Sequence, residues 1–356
     1  MMTLKTITSV LVLILGVGCR THSHQTTETT RSAEAPPTPQ PPRVYVSNER
    51  SNNVSVIDPT TNTVVATIPV GKRPRGIHVT TDHRSVFVAL SGSPIAGPTV
   101  KDKDLPPADK EADGIALIDV ATGQFKEKLL SGSDPEQFDL SNDERRLYVS
   151  NEDESQVTVI DLPSRKSIAT LEVAQEPEGV RTSPDGRWVY VTCETDAEVH
   201  VIDTVKNAVV AKFKTGERPR SVAFTPDGRK AYITCETAGT VDVVDIAASK
   251  VIKSIHLTGQ NVRPMGIVLS PDGRRAYVTT GRGASVVAID TSSDAVAATL
   301  PNVGQRPWGI AITPDGKTLY TANGPSDDVS VIDTASLSVR SKIKAGTSPW
   351  GVAISK

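Results

Sequence analysis

Seven positions along the chain share one local setting. Each directly follows a proline that closes a short loop, and together they carry Arg75, Glu136, Glu178, Arg220, Met265, Trp308 and Trp350. In chain order two carboxylates lie between two guanidinium groups, and an apolar arc of Met265, Trp308 and Trp350 completes the set. Glu136 and Glu178 are a pair of groups that could hold a divalent metal for hydrolysis. Aromatic surface beside a few fixed polar groups is how sites for small ligands and peptides are built. The same residues also have a purely structural use, in which the indoles pack on neighbouring loops and the charges neutralise one another.

What must position these residues is a repeat. Residues 187–229 contain β-branched runs at 189–191, 199–202, 209–213 and 221–224, separated by polar turns, with Asp227-Gly228 supplying a tight hairpin turn. The unit recurs with an aromatic near its start (Tyr45, Phe87, Tyr148, Tyr190, Tyr232, Tyr277, Tyr320) and an Asp ending its third strand (Asp58, Asp119, Asp161, Asp203, Asp245, Asp290, Asp333). Seven four-stranded units at this period predict an all-β fold, a seven-bladed β-propeller of antiparallel blades over residues 43–356. The first copy begins at a second strand (residues 43–46) and the last ends at a first strand (350–354), so the C-terminal strand is expected to complete the N-terminal blade. Gly-x-x-Pro loops such as Gly71–Pro74 and Gly216–Pro219 return the chain from rim to axis. The residue after each proline then starts an innermost strand and rings the channel mouth.

The spacing breaks once. Tyr148 lies 61 residues after Phe87, where the neighbouring interval is 42. The insertion, loop 91–113, falls between second and third strands and is expected to overhang the mouth, as a lid, a docking loop or a disordered segment.

Net charge is −2 and the basic residues are scattered, which argues against nucleic acid as a partner. His78, His83, His200 and His256 lie in different blades without metal-ligand spacing. No Ser-His-Asp order, nucleophile elbow or phosphate loop appears. No catalytic constellation, cofactor or metal is therefore expected. Cys193 and Cys235 end second strands in adjacent blades, where ~9–10 Å between equivalent atoms is beyond a disulfide, so two free thiols are expected. The seven third-strand Asp residues read as turn architecture rather than catalytic carboxylates.

At the N-terminus, residues 1–18 carry a short apolar run, too short to span a bilayer, followed by small residues before Cys19. This reads as a cleaved signal peptide of lipoprotein type with Cys19 as the lipidated residue. Residues 19–42, rich in Thr, Ser and Pro, form a disordered tether. The expected place is the periplasmic side of the cell envelope, at the outer membrane, with the membrane touched only through Cys19.

The segments Tyr45-Val46-Ser47-Asn48 and Tyr148-Val149-Ser150-Asn151, followed by Val-x-Val-Ile-Asp and Ser/Thr-Pro-Asp-Gly, resemble the bacterial YVTN-repeat β-propellers. Longer phrases, among them Val70–Ile77 and Pro349-Trp350-Gly351-Val352, resemble the exported propellers associated with PQQ-dependent alcohol catabolism. The resemblance implies a fold and a compartment more than a reaction. The leading expectation is a monomeric, non-catalytic binding module that captures a small molecule or protein partner at the mouth, accessory to periplasmic oxidation. The alternatives are a lactonase-like metal-dependent hydrolase, with Glu136 and Glu178 on the metal, and a ligand-free scaffold.

Overall fold

The computed structural model describes residues 41–95 and 105–355. The expected signal peptide at 1–18, Cys19, tether residues 19–40 and the middle of the insertion lie outside the described residues.

Twenty-eight strands form seven four-stranded antiparallel sheets, a seven-bladed β-propeller. We number the blades by their innermost strands: I, Pro349–Ile354; II, Pro74–Val79; III, Pro135–Leu140; IV, Pro177–Thr182; V, Pro219–Phe224; VI, Ile267–Leu269; VII, Pro307–Ile312. Blade I is stitched from both ends of the domain. Its innermost strand pairs with Val44–Asn48 in the register Val44↔Ile354, Tyr45↔Ala353 and Val46↔Val352. The Arg43 amide donates to Ser355 Oγ at 2.8 Å and the Ser355 amide to the Arg43 carbonyl at 2.9 Å, which latches the ring beyond the paired strands.

The core lies between blades, because each second and third strand buries both faces. The aromatic of every second strand is at most 5% exposed. Tyr148, Val157 and Val159 of blade III pack against Val180, Val189, Val191 and Ile202 of blade IV in one such layer. A single blade has no partner for these faces, so the fold is cooperative around the ring. Third and fourth strands shift register at one recurring place, just before the terminal Asp, for example between Val56 and Ile57 and between Val331 and Ile332. A bulge there increases twist toward the outer edge. The Asp residues have the turn role expected: Asp58 Oδ1 accepts from the Thr60 amide at 2.8 Å, and Asp245 Oδ1 from the Ala248 amide at 2.9 Å.

Blade VI departs from the expected pattern. Its innermost strand is only Ile267–Leu269, and Met265 does not begin a strand. Five positions separate Gly259 from Pro264 where the other loops use three. With this longer entry Met265 turns inward and is 2% exposed, beneath the short turn at Gly281–Gly283.

Candidate functional site at the channel mouth

Two local devices hold the ring residues in place. Second-strand hydroxyls reach across to the next blade and donate to the backbone carbonyl of its ring residue: Ser47 to Arg75 at 2.6 Å, Ser150 to Glu178 at 2.7 Å, Thr192 to Arg220 at 3.0 Å and Thr279 to Trp308 at 2.6 Å. The residue after the ring position is often glycine, because the neighbouring carbonyl comes so close. A Cβ on Gly179 would lie 2.1 Å from the Arg220 carbonyl oxygen. The Ser/Thr in the Tyr-Val-Ser/Thr phrase and the glycine after the ring residue are therefore one fastening seen from two sides.

The mouth opens into a funnel of about 1040 Å³. Arg75, Glu136, Glu178, Arg220, Trp308 and Trp350 line it; Met265 does not. The expected exposed apolar arc is correspondingly reduced. Trp350 is 6% exposed and Trp308 half-buried, their ring centroids 5.6 Å apart. Trp308 also carries the guanidinium groups of Arg306 at 4.7 Å and Arg220 at 5.4 Å from its ring centroid.

Most of the funnel's charge is paired within the wall. Arg75 bridges Asp134 and Glu136, all three buried, and donates to the Pro135 carbonyl at 3.2 Å. Arg220 gathers three carboxylates: Glu178 at 2.8 Å, Glu236 at 2.7 Å and Glu194. Arg218 adds a second contact to Glu194 at 2.5 Å. These surroundings hold the Arg220 guanidinium firmly protonated and draw the Glu236 carboxyl below its ordinary range, the nearest cause being Arg220 itself. Glu136 and Glu178, read above as a shared metal pair, are instead taken by different arginines. The carboxylates that do converge are Asp134, Glu136 and Glu152, whose oxygens lie within 4.8 Å of one another. Arg75 already compensates two of those three.

Glu152 differs from the rest. Among the described residues its carboxyl has no hydrogen-bond or ion-pair partner, yet it lines the funnel. Desolvation, reinforced by the negative charge of Glu178, pushes its pKa up to about 7 against an ordinary glutamate value near 4.5, with Arg75 opposing. Arg50 and Arg306 likewise line the funnel without a carboxylate partner among the described residues. None of Asp134, Glu152 or Arg306 stood among the sequence candidates. A signal for two of them was available, because the residue before the loop proline also faces the mouth. Arg73, Asp134, Arg218, Arg306 and Ser348 occupy that place with left-handed φ between 42° and 58°. Glu152 carries no such mark; it follows Asn151 at the end of a second strand, inside the short turn Glu152–Glu154.

The insertion's described residues include a short turn at Lys110–Ala112 and are tied down through Lys72 to Asp109, Lys110 to Asp153, and Arg73 Nη1 to the Ser93 carbonyl at 2.6 Å. Pro94, Ile95, Leu105, Pro106 and Ala108 face the funnel. Cys193 and Cys235 are free and buried, and burial pushes the Cys193 thiol up to about 12. Neither has thiolate character at neutral pH.

Residues 179–340 match the family described as Lactonase, 7-bladed beta-propeller. No curated protein matches the chain. Among solved structures, the periplasmic gluconolactonase of Pseudomonas aeruginosa is similar at 21% identity and TM-score 0.71, over 88% of this chain and 99% of that one. A protein from Bacteroides fragilis assigned as a 6-phosphogluconolactonase is 18% identical at TM-score 0.71, over 90% and 100%. Kuenenia stuttgartiensis hydrazine synthase is 22% identical at TM-score 0.70, over 82% and 92%. At these identities the structural likenesses establish the fold. The lactonase match overturns the expectation of a protein without catalysis, and that non-catalytic reading is withdrawn.

Proposed function

We propose that the protein is a hydrolase of the lactonase type that opens a cyclic ester at the channel mouth, with Glu152 as general base. The observation that carries this reading is the unpartnered Glu152 carboxyl, which lines the funnel and titrates near neutrality in a wall whose other acidic groups are largely bound to arginine. A base with a pKa near the working pH combines a large reactive fraction with useful basicity. Glu152 removes a proton from water as the water oxygen bonds to the lactone carbonyl carbon. Positive charge on the unpaired Arg306 and Arg50 favours the oxyanion that forms. When the tetrahedral species collapses, the ring C–O bond breaks, the leaving oxygen takes the proton from Glu152, and a hydroxy acid departs. The match of residues 179–340 and the gluconolactonase-like neighbours support the same reaction class.

The full chain is expected to accelerate hydrolysis of δ-gluconolactone in a pH-stat, and Glu152→Gln to lose about 10²–10⁴-fold in kcat/KM. Wild-type rates equal to buffer on this lactone and on alkyl-substituted δ-lactones alike remove the proposal. Since Arg75 already supplies the cationic partner of Asp134 and Glu136, EDTA is expected to leave the rate unchanged. The export expectation belongs here too, resting on residues 1–42 and the resemblance to exported propellers. It predicts that lipid labelling disappears in Cys19→Ser.

A further inference from the structure

Most of the funnel wall is charged, and the insertion adds an apolar patch to it. Ser93 of the insertion lies against Asp153, the residue after Glu152, with Oγ 3.5 Å from a carboxylate oxygen. Pro94 and Ile95 follow at once, and Leu105 and Pro106 come in from the returning limb. Among the described residues of the insertion, Lys110 is anchored on Asp153 and Ser133, Asp109 on Lys72, and Asp113 Oδ1 accepts from the Gly92 amide at 2.7 Å. The described limbs of the insertion are thus fastened by polar groups and turn the half-buried Pro94, Ile95 and Leu105 to the cavity. It occurs in one blade only, the one preceding the blade that carries Glu152. Half-buried apolar groups facing a water-filled funnel gain free energy when a ligand's apolar part covers them.

We infer that the substrate is a lactone whose ring bears an alkyl substituent, the carbonyl at Glu152 and the alkyl chain against Ile95 and Leu105. This rests on the hydrolase reading above and narrows it to a substrate class. A sugar lactone has no apolar group to cover the insertion's patch; a tail of several methylenes does, at about three- to fourfold in kcat/KM per methylene buried.

The test compares δ-valerolactone, δ-hexalactone, δ-octalactone and δ-decalactone with δ-gluconolactone, on the full chain and on the Ile95→Ser, Leu105→Ser double variant. The expected result is a wild-type kcat/KM that climbs with tail length and a series that flattens in the variant. If gluconolactone is hydrolysed but the wild-type series is flat, the alkyl-lactone inference is overturned and the hydrolase reading stands. If no lactone, gluconolactone included, is hydrolysed above buffer, both fall. The wild-type series decides the matter even where the variant fails to fold.

Discussion

Two arcs of the same funnel handle buried acid in opposite ways. Where blades IV and V meet, Glu178, Glu194 and Glu236 converge on the single guanidinium of Arg220, itself 7% exposed. On blade III, Glu152 stands in a comparable setting with no such partner, beside an arginine already shared between Asp134 and Glu136. The residue type is the same and the chemistry differs. Arg220 draws Glu236 below its ordinary range, but desolvation and the charge of Glu178 push Glu194 up to about 8 despite its two arginines; Glu152, pushed up to about 7 by the same causes, differs in lining the funnel with no partner among the described residues. One arc is stabilised by its charges; the other stores the reactivity a base needs.

The largest effect should come from breaking the paired arc. Arg220→Met strands three carboxylates and is expected to cost about 3–5 kcal/mol, read from the denaturant midpoint. A loss below about 1 kcal/mol would show that the cluster is not the clamp described here. Glu152→Gln, by contrast, removes a carboxylate that the fold disfavours in its ionised form and should raise that midpoint at neutral pH. Next comes the fastening between blades. Gly179→Ala pushes a methyl group to 2.1 Å from the Arg220 carbonyl oxygen and 3.0 Å from Thr192 Oγ1, with an expected cost of about 1–3 kcal/mol. Full stability in that variant would mean the ring carbonyls can move apart freely.

The mildest perturbation, pH, sharpens the comparison most. The folded-state pKa of Glu152 is about 7 and its ordinary value 4.5, so between these limits the folded chain binds the extra proton. Stability contributed by this group therefore falls as pH rises from about 4.5 to 7. Over the same interval kcat/KM should climb about tenfold per pH unit and level off above 7, as the base form accumulates. The signature is opposite trends in stability and rate, with the rate trend lost and the stability slope reduced in Glu152→Gln, the remaining slope belonging to Glu194, which is pushed up to about 8; a rate profile flat from pH 5 to 8 would place the base elsewhere.

Much of the architecture was legible from one unit. The aromatic of the second strand, the Asp ending the third and the Pro-closed return loop each mark a local event, a buried layer or a turn, and such events repeat in sequence as they do in space. The seven post-proline positions followed from that phase, and six line the funnel. Met265 failed because two additional loop residues let its backbone leave the common path. Trp350 was expected at the water and is buried, since its indole lies against that of Trp308 one repeat earlier in the chain. Glu136 and Glu178 looked like partners because they occupy equivalent places, but each finds an arginine on another loop.

The sequence by itself determined the blade number, the strand order, the latch between the ends of the domain and the position of the insertion. These depend on local turn chemistry and on a period that any one repeat displays. Only the tertiary structure decided which carboxylates lost their freedom to an arginine and which one was left in the funnel without a partner. Ion pairing and desolvation are sums over neighbours brought together by ring closure, and no repeat carries that information in its own residues.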